Sequence, residues 1–510
     1  MNLMRKSGVL LHITSLPSPY GVGTMGKEAY EFVDFLKESG QSYWQILPIH
    51  PTSFGDSPYA SYSTFAGNPY FIDFDMLAQD GLLIPEEYNW IDWENKKDEV
   101  DFGILYNNRF NVLRQATNRF LENPDPKYAE FLEENKDWVE DYALFMALKK
   151  HFDGKPWYEW DEEYKFYDPK KAEEWRETFK EDVDFYKALQ FFFRKQWNAM
   201  KKYANENGVE IIGDLPIYVA RDSVDVWSHP ELFALDADLN PERVAGCPPD
   251  GFSADGQLWG NPLYNWDYHK KTGYDWWIRR IAYLLNMYDV LRIDHFRGFD
   301  SYYAIPYGDK TAKNGKWLEG PGISLFKTLE EKMGKQRIIA EDLGFLTPSV
   351  KQLLADTAYP GMKILQFAFD SRDAAAMDYY PFNYPANSVA YTGTHDNDTI
   401  QGWFKNADKD DVALAIDYLQ ADDPKNYHWT MIRELLKSPS DYAIVTAQDL
   451  LGLDSDARMN VPSKLGGNWA WRLLPGQLNE EVQDELLHLT KLFKRYPLER
   501  LEEETEKTEA

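Results

Sequence analysis

Eight short apolar runs punctuate the chain, and each stops at or just before a polar residue, an acid or a proline. They are Val9–Ile13, Tyr43–Leu47, Val209–Ile212, Val290–Ile293, Ile338–Ala340, Ile364–Phe369, Val389–Thr392 and Tyr442–Val445. Brief apolar runs bounded by turn residues read as buried strands. Between many of them the apolar positions recur with a helical period: Lys27–Glu38, Arg194–Asn207, Tyr274–Met287, Leu325–Met333, Ser349–Asp356 and Asp410–Leu419. Strands alternating with helices predict parallel βαβ units. Eight such units predict an α/β fold, a closed (β/α)8 TIM barrel, with an open doubly wound sheet as the competing architecture.

The spacing is uneven, so the barrel must carry insertions. Tyr88–Tyr186 reads as amphipathic helices rich in Glu, Lys and aromatics, as in KYAEFLEENKDWVEDYALFMALKKHF. This predicts an inserted helical subdomain over 74–190. Ala245–Trp266 is dense in Gly, Pro, Asp and Asn, which is loop chemistry. It predicts an inserted loop and helical segment over 220–275 that covers the active site. A single barrel would then occupy 1–500, followed by an acidic tail, 501–510 (LEEETEKTEA, from Leu501), without aromatics.

Composition narrows the classes. The 510 residues carry 55 Lys and Arg against 84 Asp and Glu, a formal charge of −29. Phosphate backbones would be repelled from most of that surface, which argues against a nucleic-acid partner. A single cysteine excludes a disulfide framework and Cys-based zinc sites, and it fits a reducing compartment. His12, Pro17 and Pro19 break the first apolar run, so it does not read as a signal peptide, and no run approaches membrane-spanning length. The expectation is a cytoplasmic protein. Aromatics make up 16 % of the chain; they suit the apolar faces of sugar rings, and they equally fill cores.

Gly21-Val-Gly23-Thr-Met-Gly26 matches a dinucleotide fingerprint in spacing. Seven residues with two prolines (Thr14–Tyr20) separate it from the strand, and no acid ends the next strand, so a nucleotide site is not expected. The stronger signal is acidic. Asp214, Asp294, Glu341 and Asp396 each stand at or just past the C-terminal end of a candidate strand. In a closed barrel those ends converge on one face. Arg292 lies two residues before Asp294, on the same side of the strand, where it would hold Asp294 ionised. Glu341 would then be the carboxyl of raised pKa, and His395 could donate to a ligand hydroxyl. A charged carboxylate facing a protonated one is what glycosidic bond cleavage needs. Helix capping, structural ion pairs and a magnesium site are rival uses of the same acids.

The residues also carry a family resemblance. GDSPYASYSTFAGNPYFID (Gly55–Asp73), IIGDLPIYV (Ile211–Val219), GCPPDGFSADGQLWGNPLYNW (Gly246–Trp266), LRIDHFRGF (Leu291–Phe299), IIAEDLG (Ile338–Gly344), GMKILQFAF (Gly361–Phe369), TGTHDNDT (Thr392–Thr399) and GNWAWR (Gly467–Arg472) closely resemble segments of the amylomaltases. These are 4-α-glucanotransferases related to α-amylases. The resemblance implies transfer between maltooligosaccharides or other α-1,4-glucans by retaining double displacement, without cofactor or metal, and without the C-terminal β-sandwich of α-amylases. It implies that Asp294 is the nucleophile, Glu341 the acid/base and Asp396 a third carboxylate gripping ring hydroxyls. Tyr59, Asp214, Arg292, His395, Ser57 and Asp370 would bind substrate, with Asp250, Trp259 and Gly260 in the loop over the acceptor side. Two positions depart from the family: Ser463 and Lys464 follow Asn460-Val-Pro462 where glycine is usual, and Phe54 stands where some members carry a tyrosine of a remote glucan site. An α-amylase-like hydrolase on the same barrel, a glucan-binding protein without turnover and a magnesium-dependent barrel enzyme are the alternatives.

Overall fold

The structure is a computed structural model that describes residues 5–53, 55–249, 254–344, 346–372, 375–464, 466–497 and 500. Phe54, Asp250 and the acidic tail lie outside the described residues. Among the described residues twelve strands follow one another: β1 (Lys6–Leu10), β2 (Tyr43–Gln45), β3 (Glu210–Leu215), β4 (Arg243–Cys247), β5 (Gln257–Pro262), β6 (Val290–Ile293), β7 (Ser301–Pro306), β8 (Lys316–Glu319), β9 (Ile338–Ala340), β10 (Gly361–Ile364), β11 (Ser388–Tyr391) and β12 (Tyr442–Thr446).

Eight of them pair in parallel in the order β10-β11-β12-β1-β2-β3-β6-β9. The ends of this sheet meet: the Ala340 N–H donates to the Pro360 carbonyl at 3.0 Å, just before β10. The result is an eight-stranded parallel barrel. Its strands read as continuous apolar runs because both faces are covered. Val9, Ile211, Ile293, Ile339, Ile364, Val389 and Ile444 are all fully buried.

All eight runs seen in the sequence contribute a barrel strand, with two shifts. The first strand lies upstream of its expected position, because Ile13–Ser15 turn into a short 3-10 helix. The sixth ends at Ile364, and Leu365–Phe369 coils into another.

Between β2 and β3 the chain is mostly helical. Phe102–Glu122, Lys136–His151 and the 27-residue Lys180–Glu206 are its longest helices. The segment after β3 differs from its expected loop character. β4 and β5 pair antiparallel within it, and together with β7 and β8 they form a four-stranded sheet ordered β5-β4-β7-β8. The glycines and prolines that read as loop instead accommodate a register shift between Val244 and Gly246 and the end of β5 at Pro262. This side sheet has a small core of its own, made of Val244, Tyr303, Ile305 and Ala312.

Candidate active site

β3 and β6 are neighbours in register, which sets Asp214 opposite Arg292. The Arg292 guanidinium donates to Asp214 Oδ2 at 2.6 Å through one arm and lies 3.1 Å from Asp294 Oδ1 through the other. Tyr59 reaches the same Asp214 oxygen with its hydroxyl at 2.7 Å. The second Asp214 oxygen is buried and has no hydrogen-bond partner among the described residues.

Asp294 directly follows β6, and the next residue, His295, turns the chain through the left-handed region at φ 51°. That conformation is costly for a side chain of this size, and it aims the His295 N–H at Glu341 Oε2, 2.7 Å away. The Leu343 N–H donates to Glu341 Oε1 at 2.8 Å. The Phe296 N–H meets the Glu341 carbonyl at 3.0 Å. The turns after β6 and β9 are thereby locked together, and Glu341 is held beside Asp294.

Asp396 stands on the loop after β11, with its side chain 45 % exposed. Its Oδ1 accepts from Asn460 at 2.6 Å, and His395 Nε2 lies 3.4 Å from Oδ2. The His395 ring stacks on Tyr59 at 5.2 Å, and both face Trp469 at just under 6 Å (5.9 and 5.8 Å). Three loops distant in sequence therefore close one aromatic wall beside the acids.

Burial raises Asp294 well above the ordinary carboxylate range; Arg292 opposes this, and Asp214, Glu341 and Asp396 add to it. Burial also raises Glu341, opposed by Arg292 and by its two backbone donors. The simple expectation that Arg292 leaves only Glu341 raised is therefore corrected: several carboxylates share one guanidinium in a desolvated place, and both members of the pair hold their protons more tightly. Arg292 itself is disfavoured by burial, yet Asp214 and Asp294 outweigh that and hold its pKa well above the usual value. Burial lowers His395 despite the nearby Asp396, so it is a neutral hydrogen-bonding ring at pH 7.

From the side sheet, Trp259 stands edge-on to His295 at 4.9 Å and is 38 % exposed. Gly260 beside it takes φ 81° with open space where a side chain would go. Ser57 Oγ accepts the Tyr59 N–H at 3.2 Å and so shapes the Tyr59 loop. Asp370 instead faces Arg372, with paired contacts of 2.8 Å that hold its carboxyl below the usual range. Asp250 lies outside the described residues. Ser463 takes φ 65°, a left-handed conformation that favours glycine.

Reading the sequence missed the parts played here by Asn460, Trp469 and His295. His295 and Trp469 lie within recognised segments and Asn460 in the departing stretch before Gly467, but their contacts cross the barrel. Among the described residues, no group of three or more His, Cys, Asp or Glu is arranged to hold a metal, and no helix is long and apolar enough to cross a membrane.

The family profile described as 4-alpha-glucanotransferase matches residues 11–478. The chain belongs to the 4-alpha-glucanotransferase family. This glucanotransferase, an amylomaltase acting on α-1,4-glucans, is 46 % identical over 487 residues to the 4-alpha-glucanotransferase of Clostridium butyricum, covering 95 % of this chain and all of that protein. It is 47 % identical over 494 residues to that of Streptococcus pneumoniae, covering 96 % of this chain and 97 % of the other. Its fold superimposes on the amylomaltase from Streptococcus agalactiae in complex with acarbose with a TM-score of 0.94, at 45 % identity, over 97 % of this chain and all of the other.

Proposed function

We propose that this glucanotransferase works by retaining double displacement at Asp294, Glu341 and Asp396. The observation that carries the reading is the Arg292 guanidinium set between Asp214 and Asp294, with Glu341 pinned to the N–H of the residue after Asp294. Asp294 lies 3.1 Å from the Arg292 guanidinium, and Glu341, whose carboxyl burial holds above its usual range, carries the proton in the reactive form.

In the first step Asp294 forms a bond to the anomeric carbon of an α-1,4-glucan. The bond to the departing 4-oxygen breaks, and Glu341 gives that oxygen its proton. In the second step Glu341 takes the proton of an acceptor 4-hydroxyl, whose oxygen displaces Asp294. Two inversions keep the α linkage. Asp396 grips hydroxyls of the distorted ring. Tyr59, stacked with His395 and close to Trp469, offers it an aromatic wall. Asp214, Arg292, His395 and Tyr59 serve the donor side, with Ser57 shaping the Tyr59 loop, and Asp250, Trp259 and Gly260 serve the acceptor side.

The acarbose-bound relative supports maltooligosaccharides and longer α-1,4-glucans as ligands of this chain. Transfer outruns hydrolysis because Trp259 at the mouth favours a sugar ring over water. We place the catalytic unit at 1–500, with a helical insertion over 74–190 and the covering segment over 220–275, and we place the protein in the cytoplasm.

Incubation with maltotriose tests the reading. Disproportionation yields glucose and longer oligomers at constant total reducing ends. A steady rise in reducing ends would mark an α-amylase-like hydrolase instead.

A further inference from the structure

Asp396 is carried by the loop Gly393–Thr399, which joins β11 to the helix Ile400–Asn406. The residues flanking that loop, Thr392 and Ile400, both rest on one carboxylate from the helix after the adjacent strand. Asp449 lies in the short helix Ala447–Leu450 after β12 and is 1 % exposed. Its Oδ2 accepts the Thr392 hydroxyl at 2.7 Å, where the loop begins. Its Oδ1 accepts the Ile400 N–H at 2.8 Å, where the loop ends. Thr446 Oγ1 accepts the Asp449 N–H at 3.2 Å, so the turn presenting the carboxylate is itself capped.

Asp449 touches none of the mouth residues described above, and its place is not explained by strand pairing. β11 and β12 are already in register from Val389 with Tyr442 to Tyr391 with Ile444. Burying a carboxyl is costly, and burial pushes this one up to about 6. What it supplies is two acceptor oxygens for a hydroxyl and an N–H seven residues further on than the loop's first residue. Inside the loop, Asn397 Oδ1 accepts from the Thr394 N–H and hydroxyl at 2.8 and 3.0 Å. From above, Arg458 donates to the Asp396 carbonyl at 2.5 Å. The loop is thus strapped at its base and gripped at its top.

We propose that Asp449 is a positioning residue of the transfer reaction: by joining the two ends of the Gly393–Thr399 loop it sets the height at which Asp396 meets the reacting sugar. This rests on the reading that Asp396 grips the distorted ring. Misplacement of a reacting or gripping group by about 1 Å can cost on the order of 10²-fold in rate.

The test is steady-state kinetics on maltotriose for Asp449→Asn, Thr392→Val, Asp396→Asn and the double variant Asp449→Asn with Asp396→Asn, each followed by thermal unfolding. Asp449→Asn and Thr392→Val are expected to lose about 10- to 100-fold in kcat with little change in KM. In the double variant the Asp449 effect should vanish, because its target is already gone. Should Asp449→Asn not fold, Thr392→Val, which removes one arm of the strap at constant shape, carries the same comparison, alone and combined with Asp396→Asn. Unchanged kcat in the strap variants beside a crippled Asp396→Asn overturns the strap alone. Losses that multiply in the double variant also overturn it, since they show Asp449 acting through general stability. Full activity in Asp396→Asn overturns the role of that carboxylate and the strap with it.

Discussion

The barrel mouth and the side sheet meet at His295, and they are built differently. At the mouth, each acid emerges from a parallel strand buried on both sides. Its neighbours are held by ion pairs and backbone donors: Arg292 on Asp214 and Asp294, and two N–H groups on Glu341. The side sheet has a core of four residues and presents Leu258, Trp259 and Trp317 about two-fifths exposed (40, 38 and 41 %). Trp259 rides on β5, which among the described residues is an edge strand paired with β4. Under the proposed mechanism, bond-making groups need the fixed geometry that the deep barrel supplies, and the acceptor face would sit on the exposed edge of the side sheet, where local freedom is greater.

The contrast can be broken most severely at its centre. Asp294→Asn is expected to abolish glucan turnover while leaving the thermal transition in place, measured by maltotriose consumption and calorimetry. Persisting turnover would move the chemistry away from the mouth. Glu341→Gln should lose about 10²–10⁴-fold on maltotriose, and far less on a glucosyl donor whose leaving group departs without a proton; equal losses on both would remove it as the acid.

Packing comes next. Ile339→Ala in β9 should cost about 2–5 kcal/mol of global stability. Ile305→Ala, equally buried but in the side sheet, should loosen hydrogen exchange around β4, β5 and β7 and shift the main unfolding transition less. A single shift of the same size for both would show that the side sheet unfolds with the barrel. Trp259→Ala should lower transfer by about 2- to 10-fold, as expected for losing an aromatic contact worth roughly 0.5–1.5 kcal/mol, with a measurable gain in reducing ends.

The smallest effect is a slope with pH. Burial lowers His12 and His295 to about 3 and His50, His269 and His428 to about 4. Between those values and the ordinary 6.5 these five rings bind more protons in the unfolded chain, so their contribution to stability rises with pH across roughly pH 4 to 6.5, opposite in sign to that of the raised carboxyls Asp294, Glu341 and Asp449. Conservative replacement of His50 by Gln should flatten part of that slope in denaturant titrations.

Much of this fold can be read in advance because its strands are buried on both faces. Val290–Ile293 and Ile338–Ala340 begin and end where their apolar runs do. The side sheet could not be read that way. Gly246, Pro262 and the exposed Leu258 and Trp259 give β4 and β5 little alternation, and Ser301–Pro306 pairs with segments on both sides of it in the chain. The strap on Asp396 was equally hidden, since Asp449 is one acid among many until β11 and β12 lie side by side.

Local pattern decided where the barrel strands fall and which acids follow them, because periodicity and turn residues act over a few positions. The motifs added the family and hence the reaction. Only the closed barrel decided that Arg292 would stand between Asp214 and Asp294, that Glu341 would take the His295 N–H, and that both exceed the usual carboxylate pKa. Arg292 meets Asp214 across 78 positions and Glu341 meets the His295 N–H across 46, and their electrostatics depend on how deeply the folded chain removes them from water.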